Sequence, residues 1–549
     1  MTAKDIKEKV KEPTEGFNLD GILCELGSFG KYQLLLLLLL SFRDSFLAMC
    51  NFNYVFAAAE VPYRCAVPEC DSIDPSFNAS WTEFALQNTT NTCYRAARYA
   101  LNSSSQRWNA SNSCSPDYFS SRDTVACERV VYENYNSVAA EFDLGCEPWK
   151  RTMIGTVHNI GLIISFILYG FVSDRYGRKV IIVGTPILVG IVGLIKSFSV
   201  NYWMLLALEF IETAFGYGNA SMVLSLEAVS QNGRVAFSCI WDIFTNIGTA
   251  FFGLIAWKVP YWRHLLRAIY APLLVVVFYI FLIDEGVRWL LAHNKNDEAV
   301  RVLNKVAKIN NVELSNKAKQ MMKSIEQTKS EENNNAPSCS TKHLLSVLRS
   351  RTILLRLTLI SACFICLSFV YTSAIIYSTG IFGNKYLNYS ALQLVAVPTR
   401  IITALTLNRF GRKAPICVAY CLAGVCFISS AFVPSSLSWL SVVLYLIGKM
   451  CNSYGMFSLY VVSIEIFPTT VRNSLANVAN TVGRIGAILA PQVPLLEQYM
   501  HSLPSVVIGL VAFIPGLLAL LLPETSRSPL PDDIQQAEKL DRTEEDAKV

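Results

Sequence analysis

Charge is scarce in this chain. Asp, Glu, Lys and Arg make up only 16% of its 549 residues against 52% hydrophobic, and the mean hydropathy is +0.36. So lean a charge complement is poor for a soluble protein of this size. Histidine is rarer still, five in all. They show no metal-ligand spacing and no nucleophile sits beside a base, so enzymatic chemistry and a bound metal are not expected. No Gly-x-x-x-x-Gly-Lys-Ser/Thr stretch occurs, which excludes a Walker-type nucleotide site and ATP-driven work. No cofactor and no nucleic-acid partner is implied.

What the chain has instead is apolar length. Spans long enough to cross about 30 Å of hydrocarbon lie near 33–58, 152–172, 180–198, 202–225, 238–257 and 267–283, and again near 352–378, 390–407, 415–433, 437–462, 474–496 and 503–522. Twelve such spans predict an all-α membrane protein in a lipid bilayer, because backbone exposed to lipid must bond to itself. Leu34 to Leu40 followed by Ala57-Ala58-Ala59 imitates a secretion signal. Roughly thirty preceding residues and the Arg43-Asp44 interruption make it an uncleaved first helix.

The spans fall into two sixes that repeat one design. Gly170 to Lys179 reads GFVSDRYGRK and Ala404 to Lys413 reads ALTLNRFGRK. Glu227 with Arg234 matches Glu465 with Arg472, and Asp284-Glu285-Gly286 matches Pro523-Glu524-Thr525. These ordered landmarks stand about 235 to 239 residues apart, the mark of a tandem duplication, and two-repeat membrane proteins are typically transporters. The expected division is 1–32, a first half 33–283 carrying a loop 59–151, a helical linker 284–351, a second half 352–522, and a tail 523–549.

Topology follows from the basic turns. Arg175, Arg178 and Lys179, then Arg409, Arg412 and Lys413, then Arg472, fall on one side, as do Lys4 to Lys11; basic short loops mark the cytoplasm. Both termini are therefore expected inside a plasma membrane and loop 59–151 outside. That loop holds Cys65, Cys70, Cys93, Cys114, Cys127 and Cys146, with glycan sequons at Asn78, Asn88, Asn102 and Asn109. An even cysteine count beside sequons indicates an oxidising compartment, and fifteen pairings remain open.

The Asp-Arg-x-Gly-Arg turn repeated after helices two and eight resembles the major facilitator superfamily. Further residues resemble its organic cation/anion/carnitine transporter family: the cysteine-rich loop, Glu141-Phe142-Asp143-Leu144-x-Cys146, Arg288-Trp289-Leu290, Ile466-Phe467-Pro468-Thr469-x-Val471-Arg472, and Leu522-Pro523-Glu524-Thr525 with Pro529-Leu530-Pro531. The likeness covers nearly the whole chain. It departs at Asn408, where the family has Asp, at Ala404, at Glu209, and in the stretch Asp284 to Leu290. The resemblance implies alternating access with a cytoplasmic gate built from Asp174, Arg175, Arg178, Glu227, Arg234, Asn408, Arg409, Arg412, Glu465 and Arg472. It also implies a small organic ion as substrate.

Charges inside spans carry the substrate argument, since each costs at least ~2.5–3.5 kcal/mol in hydrocarbon. They are Arg43, Asp44, Glu212, Asp242, Arg400, Lys449 and Arg484. By the resemblance, Arg484 stands where anion and carnitine transporters have Arg and cation transporters have Asp, and Arg400 matches a basic position of anion transporters. Trp241, Tyr377 and Tyr454 supply aromatic walls and Asn219 a hydrogen-bonding group. The expectation is an organic anion or carnitine-like zwitterion. The alternatives are that Arg484 and Arg400 pair with Asp242 and Glu212, that the substrate is a cation, or that the chain is a non-transporting receptor. His158 is a candidate proton carrier or a structural residue.

Overall fold

The computed structural model describes residues 19–525 apart from 28, 69, 87–92, 99–113, 115–118, 219, 231–232, 328–349, 382, 408 and 469–471, together with 531 and 536. Asn88, Asn102, Asn109, Asn219 and Asn408 lie outside the described residues.

Two six-span halves fill most of the chain. In the first, span one is α2 (Lys31–Asn51) continued by α3 (Asn53–Ala57); α6 (Pro148–Tyr176) and α7 (Arg178–Lys196) are spans two and three. Span four is α8 (Tyr202–Ala214) with α9 (Ala220–Glu227), and span five is α10 (Arg234–Lys258). Span six runs from α11 (Trp262–Tyr270) through a 3-10 stretch (Ala271–Phe278) to α12 (Tyr279–Leu282). The second half repeats the plan with α16 (Arg351–Tyr377), α17 (Lys385–Leu394) plus α18 (Ala396–Thr406), α19 (Lys413–Ala431), α20 (Ser438–Ile466), α21 (Arg472–Leu489) prolonged by a 3-10 stretch (Ala490–Gln498), and α22 (Leu503–Ala519). Seven of these helices are long and apolar enough to cross a membrane unaided. The other five spans are broken, shorter, or interrupted by polar residues such as Lys449 and Asn452.

Polar caps start several spans: the side chain of Asn201 accepts from Met204 N–H at 2.7 Å, Ser350 from Ile353 at 3.4 Å, and Asn384 from Tyr386 at 3.0 Å. Where span four breaks, span two satisfies the freed backbone. Ser165 Oγ donates to the Tyr217 carbonyl (2.5 Å) and accepts from its N–H (2.9 Å), while the Tyr169 hydroxyl donates to Phe215 O.

The two basic turns are built alike. Gly177 and Gly411 take φ of +101° and +83°, a region L residues avoid. Each bend lets a carboxylate from the end of its own half reach the N-terminus of the following helix. Glu285 Oε1 accepts from the N–H of Arg178 (2.8 Å), and Glu524 accepts from the N–H of Arg412 (2.9 Å) and Lys413 (3.0 Å).

Between spans one and two sits a small domain with α4 (Thr82–Ala85), α5 (Val138–Glu141) and two antiparallel pairs. β1 (Tyr63–Cys65) pairs with β4 (Val130–Tyr132), and β2 (Tyr94–Arg98) with β3 (Phe119–Ala126). Its disulfides are Cys65–Cys127, Cys70–Cys114 and Cys93–Cys146, and Asn78 is exposed. Glu141 clasps this domain to span six: Oε1 accepts from Arg263 Nε (2.9 Å) and Nη2 (2.6 Å), and Oε2 from the Trp262 indole. At the opposite, basic end, α1 (Leu19–Leu26), α13 (Val287–Ala292), α14 (Asn296–Asn310) and α15 (Asn316–Gln327) pack onto the first half around Leu23, Trp289 and Leu303.

The halves meet at the loop end. Phe56 stacks on Tyr386 (5.4 Å) and meets Tyr389 edge-on (5.1 Å), Ser390 Oγ donates to Ala250 O (2.8 Å), and Gln492 bridges Thr152 and Thr156 at 3.0 and 2.8 Å. One apolar core there draws on both halves, whereas at the basic end each half keeps its own. The molecule is closed at the loop end.

Two outcomes are expected. An added Cβ at Gly177 collides with Glu285 Oε2 and forces an L residue to positive φ, a strain of about 1–2 kcal/mol. Gly170 has open space, so Gly177→Ala lowers the melting temperature of the purified protein and Gly170→Ala does not. Burial raises the Glu141 carboxyl, but the Arg263 guanidinium and the Trp262 and Tyr261 donors outweigh it and hold it below the usual carboxylate range. A depressed carboxyl stabilises the fold above its unfolded pKa, and that gain is lost as pH falls through the folded value. Glu141→Gln therefore costs about 1.5–3 kcal/mol at neutral pH, and its melting temperature depends less on acid than that of the parent.

Candidate functional site

Midway along the bundle the halves touch again, through charge. Arg400 of α18 donates from Nε to Asp242 Oδ2 of α10 at 2.6 Å and from Nη2 to Oδ1 at 3.3 Å, with its guanidinium 4.8 Å from the Phe457 ring centre. Both partners are about a quarter exposed (27% and 25%), so the pair sits beside open space rather than sealed in protein. Arg484 of α21 crosses the interface in the other direction and lies 4.6 Å over the ring of Phe166 in α6. Tyr371 of α16 lies within electrostatic reach of Asp242, Arg400 and Arg484, which groups the four.

Lys449 extends this group. Its side chain is 1% exposed, its Nζ lies 3.2 Å from the Tyr371 ring centre, and it donates to Tyr371 O at 3.5 Å. No carboxylate among the described residues lies within ion-pair distance of Lys449 or Arg484. Three residues on from Lys449, Asn452 is wholly buried with neither amide atom partnered. An unsatisfied buried group costs about 1–3 kcal/mol, and Asn452 lies on the same face of α20 as Lys449. The centre therefore holds three basic side chains (Arg400, Arg484, Lys449) and one carboxylate, Asp242.

Not every expected residue arrives here. Glu212 does not; it turns into the first half, where Lys196 bridges it and Glu209 (2.7 Å), and Tyr270 donates to it at 2.7 Å. Of the internal pairing considered for Arg400 and Arg484, the Arg400–Asp242 bond forms and the Arg484–Glu212 bond does not. Tyr377 lies at the loop end with its hydroxyl on His501 O (3.2 Å). Tyr454 points to α18, sharing a 2.9 Å hydrogen bond with Thr406 and lining an apolar groove with Phe410 and Val418. Trp241 is held by Asp44 Oδ2 at 3.1 Å. Asp44 pairs with Arg43, which bonds Ile182 O (3.0 Å), Thr185 (2.9 Å) and Ser221 (3.2 Å), tying spans one, three and four together.

The gate residues cluster within each half. Arg178 faces Glu227 at 3.5 Å and Asp174 at 3.2 Å, and Asp174 is 80% exposed. Arg412 pairs with Glu465 at 3.0 Å. Arg234 reaches Asp20 (3.1 Å) rather than Glu227, Arg472 donates to Phe467 O (3.1 Å) and Pro531 O (3.4 Å), Arg175 stacks on Tyr176, and Arg409 is exposed. These ion pairs form inside each half rather than across the two, and the helix N-termini at the basic turns are capped by Glu285 and Glu524. Lys196 escaped the sequence reading, since a lysine at the end of a span ordinarily reaches for the interface. Glu209 and Glu212, three apart on one helix face, were the signal that a buried cation was needed.

Two pseudo-repeated six-helix halves enclosing a central polar group define a major facilitator transporter rather than an enzyme. The profile of the sugar (and other) transporter family matches residues 77–533, and the chain belongs to that family. It is 29% identical to the "Organic cation transporter protein" of Drosophila melanogaster (94% of each chain covered) and 27% to "Solute carrier family 22 member 3" of Mus musculus (95% and 96%). It is also 27% identical to "Solute carrier family 22 member 2" of Homo sapiens (95% and 96%). Its fold is similar to the inward open conformation of the xylose transporter XylE from E. coli, with a TM-score of 0.55 and 15% identity over 93% of this chain and 98% of that one.

The Arg400–Asp242 pair is testable by a double-mutant cycle. Each single alanine change strands a half-buried charge, so Asp242→Ala and Arg400→Ala are each destabilising. The double variant is more stable than their sum, with a coupling of about 1–3 kcal/mol by thermal unfolding.

Proposed function

We propose that this chain moves small organic ions across the membrane by alternating access, and that organic anions or carnitine-like zwitterions are preferred. The observation that carries the preference is Arg484, set at the interface of the halves over Phe166 with no carboxylate beside it among the described residues. With Lys449 and the unpartnered Asn452 nearby on α20, the centre attracts a carboxylate or sulfate and disfavours a bare organic cation, because Coulomb energies grow as the dielectric falls. The rings of Phe166, Phe457 and Tyr371 offer an apolar wall to the rest of the molecule.

The disulfide-rich loop faces outside and the basic turns face the cytoplasm, in keeping with the positive-inside rule. Closure at the loop end with separate cores at the basic end then corresponds to an inward-facing state. Rocking of the halves around the fixed centre opens it to one side and then to the other. The turns with Glu227, Arg178, Glu465 and Arg412 serve as the inner gate when the halves close on that side, exchanging partners within a half for partners across it. A cation as substrate is the reading that the names of the relatives favour.

Uptake in cells separates the two. A labelled organic anion, carnitine and a quaternary ammonium are compared for the parent and Arg484→Asp at matched surface expression. The expected result is anion or carnitine uptake, lost about tenfold or more in Arg484→Asp, a drop of about 1.4 kcal/mol in transition-state binding or more. Quaternary ammonium uptake indifferent to the change would sink the preference and leave the fold untouched. Absence of any uptake favours a receptor.

A further inference from the structure

Near the loop end of the first half lies a buried polar cluster that the transport site does not use. Its centre is His158 of α6. His158 Nδ1 lies 2.6 Å from Glu209 Oε1, and Nε2 lies 3.1 Å from Asn51 Oδ1. Glu209 also accepts from Asn53 Nδ2 (3.2 Å) and from Lys196 Nζ (2.7 Å). Lys196 bonds Glu212 and the Tyr270 hydroxyl (2.9 Å), and Glu212 Oε1 accepts from Tyr270 (2.7 Å) and Tyr217 (3.4 Å). His158, Lys196, Glu209 and Glu212 are all 0–1% exposed. Cys50 of α2 and Tyr54 of α3 complete the surroundings, the Tyr54 ring 5.1 Å from that of His158. From the second half, the elements packed on α6 contribute Arg484, over Phe166 about two turns away, and Glu497 at a loop-end cavity that also holds Glu60, Arg151 and Lys385.

The charge count is uneven without a further proton: two carboxylates face one ammonium. A further proton balances it, and beside the Glu212 carboxyl the geometry offers His158 as its seat, since both ring nitrogens face oxygen acceptors. The site also accommodates loss of the Nε2 proton. Rotation of the Asn51 amide replaces Oδ1 by Nδ2, so that the amide donates to the bare nitrogen instead of accepting from it. A group that keeps its hydrogen bond in both protonation states binds and releases a proton without being left unsatisfied.

The location gives that proton an effect. Span one breaks at Phe52, between the two asparagines that enter the cluster, with φ −110° and ψ 17°. Two residues on, Tyr54 lines the loop-end cavity of about 130 Å³ together with Gly155 of α6 and, from the other half, Pro491. We infer that His158 with Glu209 and Asn51 forms a proton-binding site that controls closure of the loop end. With the proton bound, the balanced cluster holds Asn51 and Asn53 down and keeps the break in span one as it is in this closed arrangement. Without it, two carboxylates repel across one ammonium, the Asn51 amide turns, and span one is released to swing with Tyr54.

The test reads loop-end opening directly and needs no substrate, so a failure of the transport reading would leave it intact. The full chain carrying Thr379→Cys, in the wall of the cavity, is placed in nanodiscs and reacted with a maleimide, with modification at that position followed by mass spectrometry. Rates are taken between about pH 5.5 and about pH 8 and divided by those of the same cysteine in a His158→Gln background, which cancels the pH dependence of thiol chemistry. The expected ratio falls severalfold toward acid. Asn51→Asp, which can only accept at Nε2, displaces that fall to higher pH. Coincident profiles for the parent and His158→Gln overturn the inference. If His158→Gln does not fold, an Asn51→Asp profile that is not displaced overturns it as well.

Discussion

Every ionisable group drawn into the bundle must find its compensation there, and the architecture is arranged around that requirement. Water and lipid headgroups neutralise charge only at the two ends, and deep within the spans the work falls to other helices. Arg43 is 1% exposed and is answered by Asp44, a backbone carbonyl and two hydroxyls, so one charge pair holds three spans in register. Lys196 serves spans three, four and six in the same way through two carboxylates and a tyrosine. Pairs of this kind contribute little net stability against a well-packed apolar alternative, but removing one member is costly. They therefore fix which helices neighbour which more than they add to the total. Against that background Arg484 and Lys449 stand apart, answered by aromatic rings and a carbonyl where Arg43 and Lys196 meet carboxylates.

The repeat gives each half the same internal lock. A glycine at positive φ turns the chain, and a carboxylate from the end of the sixth helix caps the third with its arginine close by. Because the cap and the helix it serves belong to one half, the lock survives any movement between halves. The interface carries a different set of contacts: aromatic packing and hydroxyl–carbonyl bonds at the loop end, and the Asp242–Arg400 pair in the middle. Contacts of that kind are made and broken at modest cost. Rigid halves and an exchangeable seam are what rocking requires.

The twelve spans and their grouping were legible because bilayer thickness imposes a length on apolar runs, and duplication leaves landmarks in order. Disulfide pairing was not legible: six cysteines in a loop carry no record of which segments meet, and even the β2–β3 ladder, which ends with Cys93 beside Cys127, leaves those two bonded to Cys146 and Cys65 instead. The direction of a mid-span charge was legible only in part. Asp242 and Arg400 lie across the seam, but Glu212 faces the back of its own half, because a charge inside a span must point away from lipid and both faces satisfy that. The break at Phe52 carries no glycine or proline to announce it; it becomes intelligible once Asn51 and Asn53 are seen reaching for His158 and Glu209 on neighbouring helices. Aromatic residues were the least legible, since Tyr377 and Tyr454 obey the same apolar pattern as ring positions that do reach the centre.

The central pair also sets how a guest and the seam depend on each other. Arg400 is held by Asp242 of the opposite half, so any anion that approaches Arg400 competes with the contact that joins the halves there. Arg484 rests on Phe166 of the opposite half by a weaker cation–π attraction, typically about 0.5–2 kcal/mol, and yields to a carboxylate more readily. On the proposed anion preference, a guest entering between them meets Arg484 first and draws on Arg400 only at the expense of Asp242. Occupancy and separation of the halves then become linked quantities, and the sign of that linkage follows from the guest competing with Asp242 for Arg400.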